Sequence, residues 1–516
     1  MMTIIHSAKC IGIQAVAVTV ETDITAGLGI HLVGLADIAV KESLLRTITA
    51  MQSMGFRIPG KKIVINLAPA DMHKKGSGYD LPIAIGIIAA SGQRSLPHLE
   101  NFLIMGELGL DGSVRAVPGA LPIVELAEKS GFRGCILPRE SALEAITFQN
   151  IEVFGADCLT DVLDILSGEV DCSHLLVRNM EPRPMHMERA QGLSQIPDLS
   201  DIIGQHGAKR GIEIAASGGH NILLLGPPGS GKSTIAKAMA GIMPPMSLEE
   251  SLQTSKIYSV AGRGNSLGGL IEQRPFRSPH HSSSIAALIG GGSGSIMPGE
   301  ISLAHNGVLF MDEFCEAPKR VIEALRSPME ERVVTISRLK SKVTFPADFM
   351  LVAAANPCPC GYYGEGDRCT CTPRERLSYI SKLSGPILDR IDLQIRTHTI
   401  PARELVGRNK AETSETVARR VLQVREIQRE RFKGLEVSCN ANMSSKMTEE
   451  FCHLDNRCKV MLERIIEKLG LSARSYFRVM KLARTIADMD SREDLLPGDL
   501  AEAAGYRFLD KRESSY

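Results

Sequence analysis

Residues 221–234, NILLLGPPGSGKST, constrain this chain more than any other stretch. The apolar run from Ile222 to Leu225 reads as a buried strand. Gly226, Pro227, Pro228, Gly229, Ser230, Gly231, Lys232 and Ser233 follow in the spacing G-x-x-x-x-G-K-[ST], and a helical pattern continues from Ser233. A strand that turns through glycines into a helix N-terminus aims successive backbone N–H groups, and the positive end of the helix dipole, at one spot where a phosphate fits. Lys232 is spaced to reach the β and γ phosphates. Ser233, with Thr234 as a second candidate, offers a hydroxyl to Mg2+. The stretch reads as the phosphate loop of an NTPase, with ATP and Mg2+ as the expected ligands.

At 516 residues the chain exceeds what one core organises, so several domains are expected. Net charge is zero, which argues against a surface coated in basic residues but leaves room for a local basic groove. No apolar run reaches the roughly 20 residues that span a bilayer. The alternation of Val16, Val18 and Val20 reads as a strand and not a signal peptide, so no membrane and a cytoplasmic location are expected. Eight of the twelve cysteines are scattered and read as reduced, inert thiols. Cys358, Cys360, Cys369 and Cys371 are grouped as C-x-C-x8-C-x-C. Four thiolates on two tight turns suit a tetrahedral, structural Zn2+, with free thiols or another soft metal as the alternatives.

Downstream, GVLFMDE is a second buried strand that ends in two acids. Asp312 is placed to hold Mg2+ through its water shell and Glu313 to orient and deprotonate an attacking water. The long interval between Lys232 and Asp312 leaves room for an extra element. Arg274, Arg277, His280 and His281 lie in its acid-free part beside a GGGSGS tip. Two adjacent histidines lack further metal ligands, so they read as loop or nucleic-acid-facing groups. Arg332, Arg338, Lys340 and Lys342 form another acid-free stretch on a turned-back segment. FMLVAAANP is a third buried strand, with Asn356 at its end, and Arg390 stands between Asp389 and Asp392. Residues 171–196 lack sustained apolar periodicity and read as a linker. From 401 to 516 the pattern is helical, with Leu471, Phe477, Met480, Leu482 and Ile486 as an apolar stripe that opens near Arg474.

VGLADIAVKES, INLAPAD and DLPIAIGI give residues 1–170 a dense resemblance to the N-terminal domain of the ComM/YifB, magnesium-chelatase-like family, a domain related in fold to the Lon protease domain. The resemblance continues through the chain. It implies an α/β fold: a Lon-like mixed domain over 1–170, a linker over 171–196, an AAA+ phosphate-loop core with a helix-2 insert over 197–400, and a helical lid over 401–516. The Lon serine and lysine slots fall on Gly78 and Pro122, and Ser77, one position away, has no base, so peptidase activity is not expected. The resemblance implies Asn356 as sensor 1, Arg390 as an arginine finger given to a neighbouring subunit, Arg474 as sensor 2 reaching the phosphates from the lid, and Ile202, Ile203 and Gln205 near the adenine. It also implies a pre-sensor-1 hairpin whose Arg338, Lys340 and Lys342 face DNA. The implied activity is ATP hydrolysis by a hexameric ring that moves single-stranded and branched DNA, a branch-migration helicase of natural transformation and homologous recombination, with recombination proteins as partners. The alternative is the ATPase motor subunit of a metal chelatase or of a protein-remodelling complex.

Overall fold

The structure, a computed structural model, describes residues 2–34, 37–74, 76–180, 196–264, 268–292, 296–338, 341–383, 385–401, 404 and 411–510. The alternation noted at the N-terminus folds as a hairpin. β1 (Thr3–Ile11) and β2 (Gln14–Thr25) pair antiparallel through a turn at Gly12 (φ +62°), and Val18, Val20 and Thr22 share one buried face of β2. With β3 (Ile30–Val33), β4 (Lys62–Ala68), β5 (Phe102–Ile104), β8 (Gly134–Pro138) and β9 (Glu152–Ala156) they form a mixed sheet in the order β3-β4-β2-β1-β5-β8-β9. A small hairpin, β6 (Glu107–Leu108) and β7 (Val114–Arg115), stands beside it. Helix Asp80–Ala90 buries Leu81 through Ile88 on all sides because it lies between this sheet and helix Ile38–Ser53.

The Lon-like slots hold no serine and lysine. A Cβ at Gly78 would stand 2.7 Å from the Met105 side chain, and Pro122 is buried in helix Ala120–Lys129. Ser77 donates to the Glu107 carboxylate, which accepts a salt bridge from Arg115 at 3.9 Å. The N-terminal unit extends to Met180, ten residues past the expected boundary, because Leu175, Leu176, Val177 and Met180 are buried in its core. Residues 181–195 of the expected linker lie outside the described residues.

The second sheet is wholly parallel and runs β11-β14-β17-β10-β18: β10 (Ile222–Leu225), β11 (Phe276–Arg277), β14 (Val308–Met311), β17 (Met350–Ala355) and β18 (Leu393–Arg396). Every residue of β10, β14 and β17 is buried, as a parallel sheet covered on both faces requires. On one face, Ile222, Leu224, Val352 and Ala354 share a core with helix His206–Gly218 and with Val479, Leu482 and Ile486 of the C-terminal helices. On the other, Leu223, Leu309, Leu351 and Ala353 pack with Phe314, Ile322 and Leu325. This order sets the carboxyl ends of β10, β14 and β17 side by side, where ligands bind in open parallel sheets.

Between helix Leu248–Val260 and β14 the chain inserts helix Ile285–Ile289, the hairpin of β12 (Gly290–Gly291) and β13 (Met297–Pro298), and helix Glu300–Leu303. A longer hairpin, β15 (Val333–Arg338) and β16 (Ser341–Pro346), follows β14. The C-terminal part comprises helices Ser414–Arg431, Ser445–Phe451, Asn456–Leu469, Ala473–Met489 and Pro497–Gly505. The N-terminal unit docks on the parallel-sheet unit through several contacts, among them the Gly269 N–H donating to the Leu143 carbonyl at 3.1 Å. The Gly119 N–H donates to the Ser259 carbonyl at 2.9 Å beside a 2.7 Å Lys256–Glu125 ion pair. Cys10 and Ile13, flanking the first turn, pack on Val260, Val343 and Phe345. Among the described residues no helix is long and apolar enough to cross a membrane.

Candidate active site

The glycine-rich turn after β10 adopts backbone that only glycine takes without strain at two points, Gly229 (φ +77°) and Gly231 (φ +83°). Gly226 has a different reason: a Cβ there would stand 2.0 Å from Thr397 Oγ1. Helix Lys232–Met239 begins directly after Gly231, so its N-terminal amides face the turn. Lys232 is buried, and its Nζ donates to the carbonyls of Gly226 (2.7 Å) and Pro227 (2.8 Å) and to Asn356 Oδ1 (3.2 Å). Burial lowers its pKa, with the Asp312 carboxylate acting against that shift.

β14 delivers Asp312 and Glu313 to the same place. Ser233 Oγ donates to Asp312 Oδ2 at 2.7 Å, and the Glu313 N–H donates to Asp312 Oδ1 at 2.9 Å. Glu313 has φ +49°, an uncommon conformation for a side-chain-bearing residue and one that marks functional turns. Its Oε2 lies 3.0 Å from His281 Nδ1, and the His280 ring stacks on His281 at 4.1 Å between centroids. β17 adds Asn356. Residues 228–234, Asp312, Glu313, Ala354, Ala355 and Asn356 line a cleft of about 450 Å3. A serine hydroxyl on a carboxylate beside a cradle of amides is the donor set of a nucleotide-bound Mg2+. Gln205, in a left-handed turn (φ +53°), spans the cradle's edge: its Nε2 donates to the Ser230 carbonyl (3.0 Å) and the His398 carbonyl (2.6 Å). Ile202 is buried in the core beside helix His206–Gly218, and Ile203 is half-buried.

Arg390, expected to serve a neighbouring subunit, and Arg474, expected at the phosphates, both lie outside the cleft of their own chain. Arg390 is buried against the Glu330 carboxylate and the Pro386 carbonyl (2.7 Å), and its flanking acids are taken by other groups: Asp392 by Arg478 and Asp389 by Ser475 Oγ (3.5 Å). The Arg474 Nη2 lies 3.8 Å from the same Glu330. Neither lines the cleft of its own chain. Arg484 is buried against Asp488 at 3.0 Å.

The basic stretches divide. Arg274 is held by Glu250 (2.9 Å) and the Asn306 carbonyl (2.7 Å), Arg277 by Glu300 (2.6 Å), and Arg332 by Asp348 and Asn442, so none of the three is a free cation. Arg338 and Lys342 are exposed on β15 and β16; Lys340 lies outside the described residues.

The four grouped cysteines converge. Their ligand atoms all lie within 4.8 Å of one another, with Sγ separations of 3.3 Å (Cys358–Cys360), 3.8 Å (Cys358–Cys369) and 3.7 Å (Cys360–Cys369). A tetrahedral metal with Zn–S bonds near 2.3 Å spaces its sulfurs about 3.8 Å apart, so the residues fit a Zn2+. The Tyr362 N–H pulls the Cys360 thiol down to about 6, while burial pushes Cys358 up to about 12. His281 beside Glu313, and Glu330 between the two arginines, were not legible as site residues. The paired histidines were the only sequence signal for the first, and nothing marked the second.

Comparison with known families gives three matches along the chain: the family described as magnesium chelatase, subunit ChlI, over residues 198–405; subunit ChlI of Mg-chelatase over residues 20–141; and the ChlI C-terminal family over residues 411–507. The chain is 42% identical to the YifB protein of Salmonella typhimurium over 512 residues, covering 99% of this chain and 98% of the relative. It is 42% identical to the competence protein ComM of Haemophilus influenzae over 510 residues, covering 98% of each. With the YifB protein of Escherichia coli the figure is 42% over 513 residues, covering 99% and 98%.

Proposed function

Because the chain belongs to the ComM/YifB family of magnesium-chelatase-like AAA+ ATPases, we propose that it hydrolyses ATP within a ring of its own copies, expected to be hexameric, and uses the work to move branched DNA. Branch migration that integrates incoming DNA is the specific task, which the competence name of the Haemophilus relative supports. DNA, further copies of the chain and recombination proteins are the partners, in the cytoplasm. The parts are the N-terminal unit, the linker, the ATPase core and the helical lid.

In this reading the amides of 226–234 and Lys232 bind the β and γ phosphates. Mg2+, held by Ser233 and Asp312, supplies charge neutralisation there. Glu313 orients the attacking water and takes its proton, and Asn356 positions that water from the other side. A second protomer supplies Arg390, and with it Arg474, to the transferring phosphoryl group. Arg338, Lys340 and Lys342 contact the DNA backbone. Cys358, Cys360, Cys369 and Cys371 hold a structural Zn2+.

One observation carries this reading. Lys232, Ser233, Asp312, Glu313 and Asn356 share one cleft, while Arg390 and Arg474 meet at Glu330 outside it. That separation supports a catalytic site completed by a neighbour. The test is ATPase and strand-exchange measurement on forked and four-way DNA beside single strands and no DNA. Stimulation by branched DNA is expected, and turnover indifferent to every polynucleotide would contradict it. The descriptions of the matched families favour a second reading, the motor subunit of a metal chelatase or a protein-remodelling complex. That reading predicts stimulation by partner subunits and none by forked DNA.

A further inference from the structure

Asn356 is followed within two residues by the first of the four grouped cysteines, so the cysteine loop and the phosphate cradle are covalent neighbours as well as spatial ones. Three contacts join them. The loop's turn at Gly361 (φ +86°) lies against the phosphate loop: a Cβ at Gly361 would stand 2.7 and 2.8 Å from the Pro228 ring and 3.8 Å from the Asn356 amide carbon. No side chain intervenes, so a shift of this turn presses directly on Pro228. On the other side, the Glu365 carboxylate accepts from the Thr399 hydroxyl and, at 3.5 Å, from the Thr399 N–H. Thr399 continues the segment whose Thr397 Oγ1 is 2.8 Å from Ser230 Oγ and whose His398 carbonyl shares Gln205 Nε2 with the Ser230 carbonyl. Third, Asn356 Oδ1 accepts from Lys232 Nζ at 3.2 Å. The cysteine loop thus lies against the phosphate loop at Pro228 and reaches Ser230 through the 397–399 segment, while Asn356, just before the loop, accepts from Lys232.

Little else stiffens that loop. Between Asn356 and helix Pro373–Ile380 it holds one helical turn, Gly366–Arg368, and turn hydrogen bonds such as Gly361 N–H to the Cys358 carbonyl (2.9 Å). Arg368 and Arg376 lie over the Tyr362 and Tyr363 rings, at 5.5 and 4.3 Å, on its outer side. A loop with so little apolar core keeps one shape only if it is cross-linked, and four converging thiolates are what a metal cross-links.

We propose that the cysteine loop is a metal-dependent clamp on the phosphate loop, in which a Zn2+ held by Cys358, Cys360, Cys369 and Cys371 fixes Gly361 against Pro228 and Glu365 against Thr399, and so sets the affinity for nucleotide. The clamp rests on the metal reading of the four cysteines given above. Gly361 and Glu365 are positioning residues that act through Pro228, Ser230 and Lys232. Loss of the metal weakens nucleotide binding without removing any group that touches the nucleotide.

The test measures two quantities on the purified full-length chain. Zn2+ content is read by elemental analysis, and nucleotide affinity by equilibrium titration with a fluorescent ATP analogue in excess Mg2+. Stripping with a zinc-selective chelator is expected to weaken binding by about tenfold or more, as a misplaced binding group does, and Zn2+ addition to restore it. Gly361→Val keeps all four thiolates, so it is expected to retain Zn2+ while losing affinity to a similar degree. Cys369→Ser is expected to lose both, with circular dichroism reporting whether it folds. A stripped chain, and a Zn2+-loaded Gly361→Val chain, that bind nucleotide as tightly as the native protein would overturn the clamp and leave the metal site standing. A native chain purified without Zn2+, and unable to take it up, would overturn the metal site and the clamp with it.

Discussion

Lys232 is a buried cation held by two carbonyls and an amide oxygen, a set that binds a proton-bearing ammonium weakly compared with phosphate oxygens. Lys232→Ala is therefore expected to abolish nucleotide binding in an equilibrium titration. Glu313→Gln is expected to keep binding and to lower turnover by about 100-fold or more, the scale of a lost general base. Normal hydrolysis by Glu313→Gln would remove Glu313 from that role. A second residue-scale prediction concerns His305, which is buried with Nδ1 accepting from the Asp348 N–H at 3.0 Å and Nε2 3.2 Å from Gln253 Oε1. Burial lowers its pKa to about 4 from an unfolded value of 6.5, so between those values the unfolded chain binds the extra proton. Stability is present above the unfolded value and is lost as pH falls through this window, by about 3 kcal/mol. Denaturant unfolding of His305→Gln against the native chain at pH 7 and pH 4.5 checks it: the variant is expected to show a smaller drop. The cleft residues were legible because covalent spacing ties each to the end of one buried strand. His281 and Glu330 were not, because each works through a partner distant in sequence.

At the scale of elements, the β15–β16 hairpin carries the exposed Arg338 and Lys342 near its tip, and Val343 and Phe345, on the face that Arg338 shares, anchor it against the N-terminal unit. Reversing Arg338 and Lys342 to Glu is expected to weaken DNA binding and to lower the slope of log affinity against log salt by about 2, one unit for each phosphate that no longer has its cation. An unchanged slope would take the hairpin out of the DNA path. An acid-free stretch of sequence does not leave its arginines unpaired, as Arg274, Arg277 and Arg332 show. Their acids, Glu250, Glu300 and Asp348, come from elements that only the fold brings near. The lid shows the same limit. Helix Ala473–Met489 was legible from its apolar spacing, but its Arg478 binds Asp392 at the start of β18, and Arg507 binds the Ile391 carbonyl. The C-terminal part thereby grips the segment that carries Arg390. Arg474, at the head of that helix, lies at Glu330 and not in the cleft of its own chain, and the helix packs on helix His206–Gly218 and on the other C-terminal helices.

At the scale of the whole molecule, each protomer holds a phosphate cradle at one edge and two arginines gathered on Glu330 apart from it. The N-terminal unit rests on helix Leu248–Val260 and on the β15–β16 hairpin, so it is mechanically joined to both. The burial of Leu175, Val177 and Met180 in the N-terminal core was not legible in the sequence, since three such residues are too few to make a periodic signal. A ring completes every site if each protomer lends its arginines to the next. The most direct measurement mixes two inactive variants, Arg390→Ala and Glu313→Gln, at varied ratios and follows ATP hydrolysis. Recovery of activity in the mixtures, where an intact cleft on one variant meets an intact Arg390 on the other, is the expected result. Hydrolysis that stays at the level of the separate variants at every ratio, while the mixed rings assemble, would contradict a site shared between protomers.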